Sequence, residues 1–186
     1  MKRQRPLFVR LLRVLALVVT PLLALTLVTP SALAWDRTMI RSKQFPGQCL
    51  DSNYNGDVYL LPCNSGNLHH QWIITRVGYG TGYNGHDQIR IQNEATRLFI
   101  VQRRYSSSGT MNPTGGLLYT DTAGSSYLSK IDGVGTTWRN VQLMSSHQDA
   151  TSFNSPGLAI KSYNSATAVA SDFNSADAGQ YWDLSI

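Results

Sequence analysis

The residue types that do chemistry are sparse in this chain and poorly spaced for it. A glycosidase needs two placed carboxyl groups, yet Glu94 is the only glutamate and the aspartates fall mostly beside turn residues. His69 and His70 are adjacent; on a strand they would point to opposite faces and could not easily share a metal ion. Asp51, His69 and a nearby serine are the parts of a triad, but no spacing separates them from residues that hydrogen-bond in turns. G-x-S-x-G, H-E-x-x-H and S-x-x-K are all missing. The expectation is therefore no enzyme, no metal site and no cofactor. What remains is a pair of thiols, Cys49 and Cys63, whose state depends on where the protein resides.

The chain's beginning addresses that question. Residues 1–34 run from a basic head (Lys2, Arg3, Arg5, Arg10, Arg13) through an apolar stretch at 14–28 to Pro30, Ser31, Ala32, Leu33 and Ala34. This is the order of a secretory signal, with Ala32 and Ala34 at the small-residue positions before a cut. A helix of about 15 residues spans only about 22 Å of a hydrocarbon core roughly 30 Å thick, so a cleaved leader is expected rather than an anchor. The predicted product is residues 35–186, secreted and with no stable membrane insertion. An oxidising destination favours one Cys49–Cys63 disulfide over two buried thiols. Closing a loop of about 15 residues stabilises by roughly 3 kcal/mol in the chain-entropy model.

Losing the leader also removes five basic charges and leaves 11 basic and 11 acidic residues. A nucleic-acid binder keeps a basic excess on its folded domain, so nucleic acid is not an expected partner.

The elements that must position these residues read as short strands. Apolar runs recur at 38–41, 58–61, 72–74, 89–91, 98–101, 117–120, 141–144, 158–160, 168–170 and 182–186, separated by Pro46-Gly47, Asn55-Gly56, Asn84-Gly85, Gly115-Gly116 and Asp132-Gly133. Such spacing predicts an all-β sandwich or barrel. Helices that could cross over between parallel strands are missing.

Repetition is the strongest internal signal. Residues 46–72 align without a gap with 156–182, with identities at Pro46/Pro156, Gly47/Gly157, Ser52/Ser162, Asn64/Asn174, Ser65/Ser175 and Trp72/Trp182. Cys49 and Cys63 meet Ala159 and Phe173, so both cysteines are lost together, as pairing requires. A longer middle copy is expected between them, with Leu98-Phe99-Ile100, Gly115-Gly116-Leu117-Leu118-Tyr119 and Trp138 repeating the order of Cys49-Leu50-Asp51, Asn55-Gly56-Asp57-Val58-Tyr59 and Trp72. The copies are expected at roughly 35–86, 87–138 and 139–186.

The run Gly47-Gln48-Cys49-Leu50-Asp51, then Asn55-Gly56, Val58-Tyr59-Leu60-Leu61-Pro62-Cys63 and Gln71-Trp72 resembles the first unit of a ricin-type β-trefoil lectin domain. Gln180-Tyr181-Trp182 is similar to that family's Q-x-W signature. The resemblance implies a β-trefoil of about twelve strands, six closing a barrel and six capping it as hairpins. It implies a disulfide within the first copy and Trp72, Trp138 and Trp182 in a shared core, one per copy.

A sugar site wants a carboxylate, amides and one exposed ring. By resemblance the first copy supplies Asp51, Tyr59 and His69, with Leu61 at the position of the family's aromatic, whereas the last has Lys161, Val169, Ser171 and Gly179 at the four matching places, and the middle one has Ile100 for the aspartate. The implied function is a secreted, lectin-like carbohydrate-binding module, with an extracellular or cell-surface glycan as partner and one tentative site in the first copy. The alternative is a protein-interaction trefoil, a protease inhibitor or toxin receptor-docking subunit, acting through the enlarged second copy around Gln102-Arg103-Arg104-Tyr105.

Overall fold

The computed structural model describes residues 34–80, 83–103, 116–122, 131–145 and 157–184. The chain divides after Ser31 into two units, and every described residue lies in the second. The expected leader falls outside the described residues except for Ala34, which opens the first strand.

Among the described residues, thirteen strands form one antiparallel sheet. In the first copy they are β1 (Ala34–Thr38), β2 (Arg41–Ser42), β3 (Gln48–Ser52), β4 (Val58–Pro62) and β5 (Trp72–Gly78). The second copy contributes β6 (Gln88–Asn93), β7 (Phe99–Arg103), β8 (Leu117–Asp121) and β9 (Ile131–Thr137), and the third β10 (Asn140–Ser145), β11 (Leu158–Ser162), β12 (Ala168–Asp172) and β13 (Tyr181–Asp183). Two strands exceed the sequence reading. Gln48–Ser52 pairs residue by residue with β4, and Ile131–Thr137 runs straight through Asp132-Gly133, which had the marks of a turn.

Strand pairing closes the barrel in the order β1-β5-β6-β9-β10-β13-β2. Its threefold repeat is visible in the register. Trp72 pairs with Thr38 and Asn93, Ile131 with Ile89 and Ser145, and Trp182 with Val141 and Ser42. The hairpins β3–β4, β7–β8 and β11–β12 lean on one another through isolated bridges, Asp57 with Tyr119, Tyr59 with Thr167 and Gly116 with Ala170. Thr120 N–H donates to Gly56 O at 2.8 Å, and Leu60 N–H to Ala166 O at 3.0 Å. The fold is a β-trefoil.

Burial follows that symmetry. Trp72 and Trp182 are fully buried, and their indole N–H groups donate to Leu50 O at 3.0 Å and Ile160 O at 2.9 Å. Each tryptophan thereby ties a barrel strand to the hairpin of its own copy while satisfying its one polar atom. The expectation of one core tryptophan per copy needs correction in the middle. There the position belongs to fully buried Ile131, and Trp138, half-buried, packs against the core from the β9–β10 turn. Its ring replaces a missing side chain. Ile74 and Leu184, two residues beyond the tryptophans, are fully buried, whereas their counterpart is Gly133, where an added Cβ would lie 2.5 Å from Trp138 Cη2.

The Cys49–Cys63 disulfide is present, with Cα atoms 4.9 Å apart. It fastens β3 to the residue after β4 at a site where Cys63 N–H also donates to Gly47 O at 2.8 Å. The third copy makes the same backbone bond, Phe173 N–H to Gly157 O at 3.0 Å.

Candidate functional site

The first copy's polar cluster forms where a 3-10 turn, Leu68–His70, folds back over β3. Asn67 begins that turn, its Oδ1 accepting the His69 N–H at 3.0 Å. With the core on one side and the turn on the other, β3 is buried on both faces, and Asp51 is only 1% exposed. The residue predicted to grip a sugar hydroxyl is thus enclosed. Its Oδ2 accepts a hydrogen bond from Asn67 Nδ2 at 3.2 Å and lies 2.9 Å from His70 Nε2, close enough for an ion pair but without the alignment of a hydrogen bond.

Tyr59, opposite Asp51 on β4, completes the cluster. Burial raises the Tyr59 phenol above its ordinary pKa, as do its hydrogen bond to Asp51 and the charges of Asp51 and Asp57. It therefore stays protonated and donates to the carboxylate. Because Tyr59 is half-buried, it offers the enclosed Asp51 a route to the surface. His69 stands beside this group: its Nδ1 is 2.5 Å from Ser52 O, and its ring meets Tyr54 edge-on with centroids 5.3 Å apart. Tyr54, 73% exposed, is the open aromatic surface here. Leu61, at the position the resemblance gives to an aromatic, is partly exposed.

Asp51, Tyr59 and His69 therefore fall in one neighbourhood with unequal access. Two members were not assigned to this site from sequence: Asn67, and His70, which was weighed only as a metal ligand. The ungapped repeat holds the signal for both, because His70 aligns with Gln180 and Asn67 with Asp177. Gln180 Oε1 accepts the Asn174 N–H at 2.9 Å, as His70 Nδ1 accepts the Asn64 N–H at 3.1 Å. His70 is thus the first copy's substitute for the signature glutamine, with its Nε2 facing Asp51.

The third copy reverses the polarity of the same contact. Lys161 stands at the Asp51 position and pairs with Asp177 at 2.8 Å, while Gly179 replaces His69. Burial alone would raise the Asp177 carboxyl, but the Lys161 hydrogen bond, the Gly179 N–H and the Lys161 charge together hold it below its ordinary value. A lowered carboxylate stabilises the fold above its unfolded pKa, and that contribution is lost as pH falls through the folded value. Lys161→Met is therefore expected to flatten the acid limb of a thermal-melting series against pH; an unchanged limb would contradict the pairing.

In the middle copy, Val101 faces Tyr119 as Asp51 faces Tyr59. The aspartate position is Val101, one residue beyond the expected Ile100, which is fully buried. Burial raises the Tyr119 phenol more than Arg103 lowers it. Of the segment expected to serve a protein partner, Gln102 is buried and its Nε2 donates to Leu143 O at 3.2 Å, whereas Arg104 and Tyr105 lie outside the described residues.

No protein-family model and no curated protein matches the sequence. Among solved structures, the chain is similar to a designed threefold-symmetric protein, ThreeFoil, at 13% identity and a TM-score of 0.55, over 80% of this chain and 96% of that one. It resembles part of a mosquitocidal holotoxin at 17% identity and a TM-score of 0.61, over 80% of this chain and 17% of the toxin. A third likeness is to a Polyporus squamosus lectin bound to the epitope Neu5Acα2-6Galβ1-4GlcNAc, at 14% identity and a TM-score of 0.56, over 80% of this chain and 48% of that one. The chain thus spans under half of these two natural proteins, and at such identities the likeness shows the fold.

Proposed function

We propose that the protein is an exported, non-enzymatic carbohydrate-binding module whose first-copy site is shallow. One observation carries this reading. The first copy sets an exposed aromatic, Tyr54, against His69, next to a half-buried Tyr59 whose hydroxyl is held by Asp51. A ring for the C–H face of a sugar then stands beside phenol and imidazole groups for its hydroxyls. Asp51 acts from beneath, fixing Tyr59 rather than touching ligand. The third copy lacks the kit, having Val169 and Gly179 at the positions of Tyr59 and His69. Lectin and toxin trefoils among the structural neighbours support the general reading.

The test is a glycan array probed with the protein, Tyr54→Ala and Tyr59→Phe. Tyr54→Ala removes an exposed ring and is expected to weaken the signal at a nearly unchanged melting temperature. Tyr59→Phe removes a hydrogen bond worth about 1 kcal/mol, so a signal roughly fivefold weaker is expected, with a lowered melting temperature because buried Asp51 loses a donor. A blank array for the unaltered protein would sink the reading. Equal signals from all three proteins would move the site elsewhere.

A further inference from the structure

At the end of the barrel away from the hairpins, the β5–β6 turn and the β9–β10 turn border an open cleft of about 290 Å³. One wall is the half-buried indole of Trp138, laid over Gly133. The floor includes the bare backbone of Gly135, which must stay bare because a Cβ would meet Asn140 O at 2.5 Å. His86 and Asp87 also line the cleft. Asp87 is held in place: Oδ2 lies 3.1 Å from Arg76 Nε, and Oδ1 accepts the Gly80 N–H at 3.1 Å. Arg76 in turn sits 4.6 Å from the centre of the Tyr79 ring.

An aromatic face, a glycine floor and an immobilised carboxylate are what a pyranose ring requires. Its C–H face packs on the indole while its hydroxyls reach carboxylate and imidazole. Pairing with Arg76 cancels the charge of Asp87, which favours a neutral sugar over an anionic one, and the volume suits one ring rather than a long chain. We propose that this cleft is a second saccharide subsite, taking a single neutral pyranose stacked on Trp138 and hydrogen-bonded by Asp87 and His86. The inference rests on the carbohydrate-binding reading above but places a site on the opposite end of the barrel, far from the positions the repeats share.

The experiment is a titration of isotope-labelled protein with the methyl glycosides of glucose, galactose, mannose and N-acetylglucosamine, followed by amide and indole NMR signals. Saturable shifts at the Trp138 indole and the Gly133, Gly135 and His86 amides are expected with at least one probe. Asp87→Asn should weaken that response about tenfold, the loss of a hydrogen bond to a charged group. His86→Ala should weaken it about fivefold, with the Trp72 and Trp182 signals unmoved in the free protein. Shifts confined to Tyr54, Tyr59 and His69 would overturn the cleft while leaving the carbohydrate reading intact. No saturable shift with any probe would overturn both, and cleft shifts of undiminished affinity in the two variants would overturn the assigned contacts.

Discussion

His70→Ala is expected to destabilise the fold by about 2–3 kcal/mol, the cost of leaving buried polar groups without their partner. His70 and Asp51 are each at most 2% exposed, so water cannot replace the imidazole without the fold opening. The substitution strips Asp51 of the group at 2.9 Å and leaves the Asn64 N–H without the Nδ1 acceptor. Asn67 and Tyr59 still donate to Asp51, which places the cost toward the lower end of that range. His70→Gln should cost much less, about 1 kcal/mol, because Gln180 does the same work on the Asn174 N–H in the third copy. Asp51→Ala added to His70→Ala should recover part of the loss, since it removes the charge left stranded. Urea unfolding of the four proteins decides the matter. A glutamine variant as damaged as the alanine one would refute the equivalence of His70 and Gln180.

That expectation alters how the binding site must be tested. Asp51→Ala strikes a carboxylate packed under the 3-10 turn, so a lost glycan signal would report the fold as much as recognition. Tyr54, whose ring is exposed, separates the two.

The outer copies were legible in sequence because they align without a gap, and two of the identical pairs do identical work. Asn64 and Asn174 each accept an N–H two residues on, at 2.9 Å in both copies, and Trp72 and Trp182 make the same indole bond. Asp51 was found but its burial was not, since strand alternation gives β3 one open face and nothing local announces that Leu68–His70 will cover it. His69 and His70 belong to that turn and not to a strand, yet they still diverge, one to Ser52 O and one to Asp51. In the middle copy isoleucine stands where the other copies carry tryptophan, and one apolar residue does not advertise register. Trp138 was then the only indole within reach of the alignment. The hairpin register slipped by one for the same reason, as Phe99, Ile100 and Val101 are all apolar.

Trp138→Ala is expected to destabilise by about 3–4 kcal/mol, in the range for loss of a large packed aromatic. The Trp138 ring occupies the space that Ile74 and Leu184 fill in the other copies, and its own carbonyl accepts the Leu184 N–H at 2.9 Å. Gly133→Ile alone should also destabilise, by about 2–3 kcal/mol, because its Cβ would collide with the indole at 2.5 Å. Combined, the two changes exchange one filler for another: the isoleucine enters the space the indole vacates, matching Ile74. The double variant is therefore expected to be more stable than either single one, with a coupling above 1 kcal/mol. Costs that simply add would show that Trp138 and Gly133 do not share one volume, and the threefold reading of the core would fail at that position. Success would carry a functional consequence as well. The repacked protein keeps its core but loses the indole wall of the cleft, so it would hold the barrel intact while removing the proposed stacking surface, a control that Trp138→Ala alone cannot provide.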